Sequence, residues 1–142
     1  MQTINQLLQN KGTHVETLAA DATVYKALEV MADKGIGSVL VMRDDKPIGL
    51  FSERDYARNI VLKGRNSRET KVSEAMSAQV VVVDPKQSIE ECMAIMTEKR
   101  VRHLPVIEND RLIGIISIGD LVKAIIENQQ FVIEQLVSYI HS

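Results

Sequence analysis

Two serine–aspartate pairs are the residues of this sequence whose types and spacing are best suited to hold a ligand. Ser52 and Asp55 stand in "IGLFSERD", and Ser117 and Asp120 stand in "IGIISIGD", 65 residues further along. An ionised carboxylate has two acceptor oxygens, so it can take hydrogen bonds from the vicinal hydroxyls of a ribose. A serine hydroxyl beside the first free N–H groups of a helix is suited to a phosphate. The two pairs are therefore candidate contacts to a nucleoside monophosphate.

The same spacing also has a purely structural interpretation. A serine N-cap followed three positions later by an acidic residue satisfies free backbone N–H groups, and the positive helix end favours the carboxylate. Two observations favour a ligand in addition to a cap. Aspartate is a less usual capping-box partner than glutamate, and both pairs are kept although the residues between them change from Glu53-Arg54 to Ile118-Gly119. Capping and ligand binding are compatible, so both interpretations stay open.

The two pairs belong to an internal repeat, in which residues 24–60 align with residues 89–125 without a gap. Nine of the 37 aligned pairs are identical, and most of the others keep apolar residues opposite apolar ones. Self-similarity of this kind indicates a duplicated structural unit. A unit of about 60 residues buries only about 60% of its unfolded surface and is marginal alone. We therefore expect the two copies to pack sheet to sheet about a pseudo-twofold axis, with two equivalent clefts between them.

The apolar pattern predicts the same order of elements in each copy, namely strand, helix, strand, strand, helix. The predicted helices span 23–34, 53–62, 88–99 and 118–127, and the predicted strands span 14–18, 38–42, 47–51, 79–83, 103–107 and 112–116. Turns rich in Asp and Asn join the last two strands of each copy. Ser88 with Glu91 predicts a capping box, and Gly64 predicts a left-handed helix end. The fold class is thus α+β (α/β-like), with two β-α-β-β-α repeats and short N-terminal and C-terminal helices.

The predicted organisation has five segments. They are an N-terminal amphipathic segment at 1–12, repeat 1 at 13–63, a linker at 64–77, repeat 2 at 78–127 and a C-terminal amphipathic helix at 128–142. The last segment carries an apolar stripe at three- and four-residue spacing, formed by Val132, Ile133, Leu136, Val137 and Ile140. This stripe could fold back over its own repeat or meet a partner helix.

Composition and charge argue against several classes of function. The net charge of −2, with two Phe, three Tyr and no Trp, makes nucleic acid an unfavourable main partner. Cys92 is the only cysteine, which we expect to be a small buried core residue, and the three histidines are too scattered to form a metal site. No nucleophile with an activating base stands out, so we expect no enzyme. No signal peptide or membrane span is evident, so a cytoplasmic protein is expected.

The tandem repeat, its two Gly-x-x-Ser-x-x-Asp junctions and the "RVRHLPVI" strand resemble a pair of cystathionine-β-synthase (CBS) domains, the Bateman module. The resemblance covers about residues 13–127. It implies an energy-sensing regulatory module that binds adenine nucleotides in the clefts between its copies and needs no metal. AMP is the first candidate, followed by ADP, ATP, NAD(H) and S-adenosylmethionine. It also implies a homodimer shaped as a flat disc, and a separate, unknown target protein that responds to the ligand.

The resemblance also assigns roles to individual residues. Asp55 and Asp120 would bind the ribose hydroxyls, with Ser52 and Ser117 on the phosphate side. The strand residues that would flank the base are Leu50 and Ile115. The facing copy would add the starts of its first two strands, which contain Thr13, His14, Val80, Val81, Ile36, Gly37, Ser38, Val101, Arg102 and His103.

Four basic residues are candidate phosphate contacts, since cationic donors make short hydrogen bonds to phosphate. They are Arg54 and Arg58 beside the first junction, and Arg102 and His103 at the start of the second strand of repeat 2, which that repeat would contribute as the facing copy. The two arginines of the first junction could equally form a solvated helix face. If both clefts bind, we expect the first to prefer more phosphate charge. The alternative function is an interaction or dimerisation scaffold whose Ser-x-x-Asp pairs serve only as caps.

Overall fold

The computed structural model describes residues 2–141, and it confirms an α+β fold with two copies of the repeat. Met1 and Ser142, at the ends of the two predicted terminal segments, lie outside the described residues. In chain order the elements are α1 (Ile4–Lys11), β1 (Thr17–Ala19), α2 (Val24–Lys34), β2 (Ser38–Arg43), β3 (Lys46–Ser52), α3 (Glu53–Tyr56), a π-helical turn (Ala57–Val61), α4 (Val72–Ala75), α5 (Ile89–Lys99), β4 (His103–Glu108), β5 (Arg111–Ser117) and α6 (Ile118–His141).

Repeat 1 forms a three-stranded sheet in the order β1-β2-β3, with β1 parallel and β3 antiparallel to β2. The β2–β3 turn places Asp44 and Asp45 at φ 52° and 61°, a left-handed conformation that Asp tolerates better than most residues. The hydroxyl of Thr23 accepts the N–H of Lys26 to begin α2, and Gly35 ends that helix at φ 64°. The predicted helix, hairpin and turn of this repeat are confirmed.

Repeat 2 reproduces this arrangement, but its predicted first strand at 79–83 is wrong except at Val83. Val83 alone pairs with β4, through bonds from its N–H to Pro105 O (3.0 Å) and from Ile107 N–H to its own carbonyl (2.9 Å). In repeat 1 the N–H of Leu40 extends the equivalent ladder by donating to Glu16 O at 3.1 Å. Proline occupies the position of Leu40 in repeat 2 and has no N–H to donate, so the ladder stops.

The helix after the second junction is longer than the helix after the first, because glutamine replaces the glycine that ends the first. The helix of repeat 1 ends after the π-helical turn at Gly64, which adopts φ 63° as predicted. The residue aligned with Gly64 is Gln129, a good helix former, and α6 continues through it to His141. The predicted helices at 118–127 and 128–142 are therefore one continuous helix over the described residues.

The chain forms two compact units, and each unit combines one repeat with the helix that precedes the other repeat. One unit contains the residues up to 13, 81–108 and 113 onward, and the other contains 14–80 with 109–112. Helix α1 joins repeat 2 through hydrogen bonds such as Ile4 N–H to Gln87 O (2.9 Å), whereas α4 joins repeat 1 through Val72 N–H to Ala22 O (2.7 Å). The predicted linker at 64–77 thus contributes α4 to the core of repeat 1.

The aligned glycines of the two junctions are in close contact with the segments that contain α1 and α4. A Cβ atom at Gly49 would lie in severe contact with Met76 Sδ and 2.7 Å from Ser77 O. A Cβ atom at Gly114 would lie 2.8 Å from Leu8 Cδ2. A Cβ atom at either position would therefore force a neighbouring atom to move.

Each unit has its own apolar core. Cys92 is fully buried in the core of repeat 2, as predicted. Met96 lies in the same core, and Met31, the residue aligned with Met96, lies in the core of repeat 1. Over residues 2–141, no helix has the length and apolar character needed to cross a bilayer.

Candidate functional site

The first junction is a complete capping box. Ser52 is the last residue of β3 and the N-cap of α3. Its hydroxyl accepts the N–H of Asp55 at 3.2 Å, while Asp55 Oδ2 accepts the N–H of Ser52 at 2.9 Å and its hydroxyl at 3.0 Å. Both side chains are half-buried. The structural interpretation of this pair is therefore confirmed, and it uses only one of the two carboxylate oxygens.

The second junction repeats the cap and adds a cation. Ser117 accepts the N–H of Asp120 at 3.1 Å, and Asp120 Oδ2 accepts the N–H of Ser117 at 2.8 Å. The same Oδ2 forms an ion pair with Lys11 Nζ at 2.5 Å. Burial acts to raise the pKa of Asp120, but the hydrogen bonds from Lys11 and Ser117 and the charge of Lys11 outweigh it and hold this pKa below its ordinary value. Asp120 is ionised at neutral pH.

Each junction lies beside the start of the second strand of its own repeat. Ser38 pairs with Ser52 across the β2–β3 ladder, and Gly37 O accepts the N–H of Glu53 at 3.0 Å. In repeat 2, Arg102 O accepts the N–H of Ile118 at 2.9 Å. The predicted site residues 36–38 and 101–103 are thus brought to the junctions within single repeats.

The predicted base-flanking residues differ in how their backbone is held. Leu50 and Ser77 exchange two backbone hydrogen bonds, of 3.0 and 2.8 Å. At the equivalent position in repeat 2, Ile115 O accepts Lys11 Nζ instead. Both Leu50 and Ile115 are half-buried.

The candidate phosphate contacts divide into three exposed arginines and one half-buried histidine. Arg54, Arg58 and Arg102 are exposed, whereas His103 is half-buried at the start of β4. Burial and then the charge of Lys11 lower the pKa of His103, against the opposing effect of Asp120. His103 is therefore mainly neutral at neutral pH when no ligand is bound.

The remaining predicted contacts are distributed between the two units. Thr13 and Val81 belong to the unit of repeat 2, and His14 and Val80 to the unit of repeat 1. Thr13 and His14 are exposed, whereas Val80 and Val81 are half-buried. The ring of His14 lies 2.6 Å from a carboxylate oxygen of Glu16 and forms an exposed pair with it.

Open space is present beside the second carboxylate. A groove of about 490 Å³ lies between α1 and α6, lined by Gln2, Leu7, Asn10, Lys11, Asp120, Lys123, Ala124 and Glu127. A cavity of similar volume in the unit of repeat 1 is lined by Met42, Arg43 and Asp44 among others. These residues adjoin the hairpin turn, at the end of the sheet opposite Ser52.

Metal binding and thiol chemistry are the two other side-chain chemistries that these residues could provide. Within residues 2–141, no group of three His, Cys, Asp or Glu side chains is placed to hold a metal ion. Burial, then the charge of Glu91, raises the pKa of Cys92 to about 11, so this thiol is protonated and unreactive at neutral pH.

Lys11 is the contact that the sequence analysis missed. The sequence predicts an amphipathic segment at 1–12, but nothing in it indicates that α1 packs on repeat 2 rather than on the repeat that follows it. Only the tertiary contacts reveal where each helix packs. Thr3 bridges to Ser88 as Lys71 bridges to Thr23, so the two leading helices occupy equivalent places on opposite repeats.

Comparison with known proteins agrees with the repeat. The family model of the CBS domain matches residues 12–62 and 72–127. The CBS domain-containing protein CBSX3, mitochondrial, of Arabidopsis thaliana is 33% identical over 97% of this chain and 71% of that protein. A solved structure of a protein with CBS domains from Burkholderia ambifaria is 49% identical, with a TM-score of 0.82 over 90% of this chain and 96% of that one. A hexameric CBS-CP12 protein from bloom-forming cyanobacteria is 27% identical, with a TM-score of 0.73 over 86% of this chain and 70% of that one.

Proposed function

Because this chain belongs to the CBS-domain family and has two copies of the domain, we propose that it is a regulatory module that binds adenine nucleotides. AMP is the first candidate ligand, followed by ADP, ATP and NAD(H). Binding changes the conformation of the module, and a separate target protein responds to that change. The chain itself catalyses no reaction and requires no metal.

The observation that carries the proposal is the state of the two junction carboxylates. Asp55 and Asp120 are half-buried, and the hydrogen bonds that cap their helices reach only Oδ2. A carboxylate held rigidly by its own helix keeps Oδ1 available as an acceptor, so a ribose hydroxyl can bind without disrupting the cap. The cap then positions the ligand contact, and the two interpretations of Ser-x-x-Asp describe one arrangement.

The charges beside the first junction favour a ligand with more phosphate. Arg54 and Arg58 follow Ser52 within six residues and are exposed, so their guanidinium groups are accessible to anions. At the second junction His103 is neutral and Lys11 is already paired with Asp120. We therefore expect ATP to be preferred over AMP more strongly at the first junction.

The response to the ligand requires a surface that another protein can contact. Residues 128–141 of α6, termed the C-terminal arm, are exposed throughout. The arm carries the apolar stripe at three- and four-residue spacing, and all five of its side chains are exposed, namely Val132, Ile133, Leu136, Val137 and Ile140. The stripe is free of charged residues, which suits pairing with the same helix of a second copy. The hexameric state of the related CBS-CP12 protein is consistent with self-association.

Ligand identification and one pair of substitutions test the proposal. Nucleotide released by denaturing the purified protein is identified by mass spectrometry, and AMP and ATP are then titrated calorimetrically into ligand-free protein. The substitution Asp55→Asn keeps an oxygen acceptor for the cap but places an amide donor where the free carboxylate oxygen stood. Asp33→Asn, on the exposed surface of α2, is the matched control.

The expected result is loss of binding without loss of folding. Hydrogen bonds to charged groups contribute about 1.5–3 kcal/mol, so removing the ribose contact should weaken nucleotide binding roughly 10- to 100-fold. Asp33→Asn should leave the affinity unchanged. Absence of binding by the wild-type protein to each of AMP, ADP, ATP and NAD(H) would refute the proposal.

A second candidate function is an interaction scaffold in which the junctions serve only as caps. The complete capping box at Ser52 and Asp55 and the exposed C-terminal arm favour it. In that case Asp55→Asn lowers the melting temperature slightly. Millimolar AMP then leaves the melting temperature of both the wild type and the Asp55→Asn variant unchanged. For the nucleotide-binding module, ligand at about 100 times its dissociation constant should add about 2.7 kcal/mol to the free energy of unfolding.

A further inference from the structure

We propose that Lys11 makes the two junctions unequal, acting as a specificity-determining residue that weakens diol binding at Asp120. This inference depends on the proposed function, because it concerns the same nucleotide contacts. It predicts that the first junction binds the nucleoside part of a ligand more tightly than the second.

The geometry of Lys11 places its ammonium group on both groups expected to receive a nucleoside. Its Nζ lies 2.5 Å from Asp120 Oδ2 and 2.5 Å from Ile115 O. Asp120 is the predicted ribose contact, and Ile115 is the predicted flank of the base. The two side chains of the ion pair are 31% and 24% exposed, so the pair is shielded from solvent more than a typical surface pair.

The ammonium group is held in this position by the packing of α1. Ile4 and Leu8 are buried in the core of repeat 2, and Leu8 lies over Gly114. Thr3 and Gln6 form a complete capping box at the start of the helix, and Gly12 ends it at φ 102°. Lys11 is therefore the last residue of a helix that is fixed at both ends, and its side chain crosses directly to the junction.

The first junction has no lysine in the equivalent place because α4, the helix that packs on repeat 1, is shorter than α1. Met76 lies over Gly49 as Leu8 lies over Gly114, but α4 ends one residue before Met76, whereas α1 continues three residues beyond Leu8. The backbone N–H of Ser77, rather than a lysine, then donates to Leu50 O. In the described part of the chain, Asp55 has no ion-pair partner and bonds only to Ser52. The same sequence motif therefore presents a free carboxylate in repeat 1 and a paired one in repeat 2.

The consequence for binding follows from the kind of donor that each carboxylate already accepts. A vicinal diol donates two hydrogen bonds and gains most when both carboxylate oxygens can adjust to it. At Asp55 the second donor to Oδ2 is the Ser52 hydroxyl, which can rotate away, whereas at Asp120 it is the Lys11 ammonium group, so a diol there must break an ion pair or bind through Oδ1 alone. Partly exposed ion pairs are weak, and the upper end of their range corresponds to about a fivefold change in affinity.

The test isolates the second junction and removes the lysine. In an Asp55→Asn background, adenosine and AMP are titrated calorimetrically into proteins with and without Lys11→Met. Lys86→Met, an exposed lysine of the same unit, is the matched control. The proposal expects Lys11→Met to tighten adenosine binding about fivefold and Lys86→Met to leave it unchanged. A second readout, the carboxyl NMR titration of Asp120, should show its pKa rising when Lys11 is removed.

The outcomes separate this proposal from the function on which it depends. Unchanged or weaker adenosine binding in Lys11→Met overturns the proposal, even if the wild type binds nucleotide through Asp55. Weaker binding of AMP with unchanged binding of adenosine identifies Lys11 as a phosphate contact and also overturns it. Absence of binding in the wild type and in all variants refutes the proposed function itself, and this inference with it.

Discussion

The aligned junction glycines should respond differently to the same substitution, Gly49→Ala and Gly114→Ala. The nearest backbone atom to a Cβ at Gly49 is Ser77 O at 2.7 Å, which is 0.7 Å short of the 3.4 Å at which ordinary contacts begin. The nearest atom to a Cβ at Gly114 is the terminal methyl group Leu8 Cδ2 at 2.8 Å. A side-chain methyl can move by a rotamer adjustment, whereas a carbonyl that is fixed in a backbone ladder cannot.

The magnitudes follow from what each neighbour must give up. Moving Ser77 strains both of its hydrogen bonds with Leu50, each contributing about 0.5–1.5 kcal/mol, and adds overpacking of about 1–3 kcal/mol. Moving the Leu8 side chain costs about 0.5–1.5 kcal/mol. Replacing glycine also stabilises through the unfolded chain by about 0.4–1 kcal/mol in both cases. We expect a net loss of roughly 2–4 kcal/mol for Gly49→Ala and about 1 kcal/mol or less for Gly114→Ala.

Urea unfolding followed by far-UV circular dichroism measures the two losses. Hydrogen exchange at the amides of Leu50 and Ser77 locates the damage, because these N–H groups donate across the strained contact. Exchange should accelerate there in Gly49→Ala and stay unchanged in Gly114→Ala. Equal losses of unfolding free energy, or a larger loss for Gly114→Ala, would refute the packing of Ser77 on Gly49 and of Leu8 on Gly114.

Three further predictions concern the C-terminal arm, the buried thiol and the second carboxylate. If copies pair through the arm, Leu136→Asp should convert a dimer to a monomer, as measured by light scattering. Gln135→Asp, on the opposite face of α6, should leave the mass unchanged. An unchanged mass in both variants would exclude this interface. Cys92, whose pKa is about 11, should react with a disulfide reagent at pH 8 only as fast as the native state opens, and rapid reaction in native buffer would contradict its burial. Folding lowers the pKa of Asp120, so its contribution to stability is present above about pH 4 and is lost as the pH falls through its pKa in the folded state. The difference in unfolding free energy between wild type and Asp120→Asn should therefore shrink in acid.

Most of the local structure was predictable because it depends on neighbouring residues. The starts of α2 and α5, the Asp- and Asn-rich turns and the helix end at Gly64 follow from side chains within a few positions of the backbone they satisfy. The failure at 79–83 also has a readable cause, since Pro105 stands where a ladder N–H is needed. That cause becomes visible only once the partner strand is known.

The amino-acid sequence by itself determined the duplication, the order of elements in each copy and the two Ser-x-x-Asp junctions with their glycines. These features are periodic or local, so they can be read along the chain. The tertiary structure alone decided that α1 packs on repeat 2 and α4 on repeat 1, and that Lys11 therefore reaches Asp120 while Asp55 stays unpaired. The physical reason is that an amphipathic helix specifies which of its faces is buried but not which of two similar surfaces buries it.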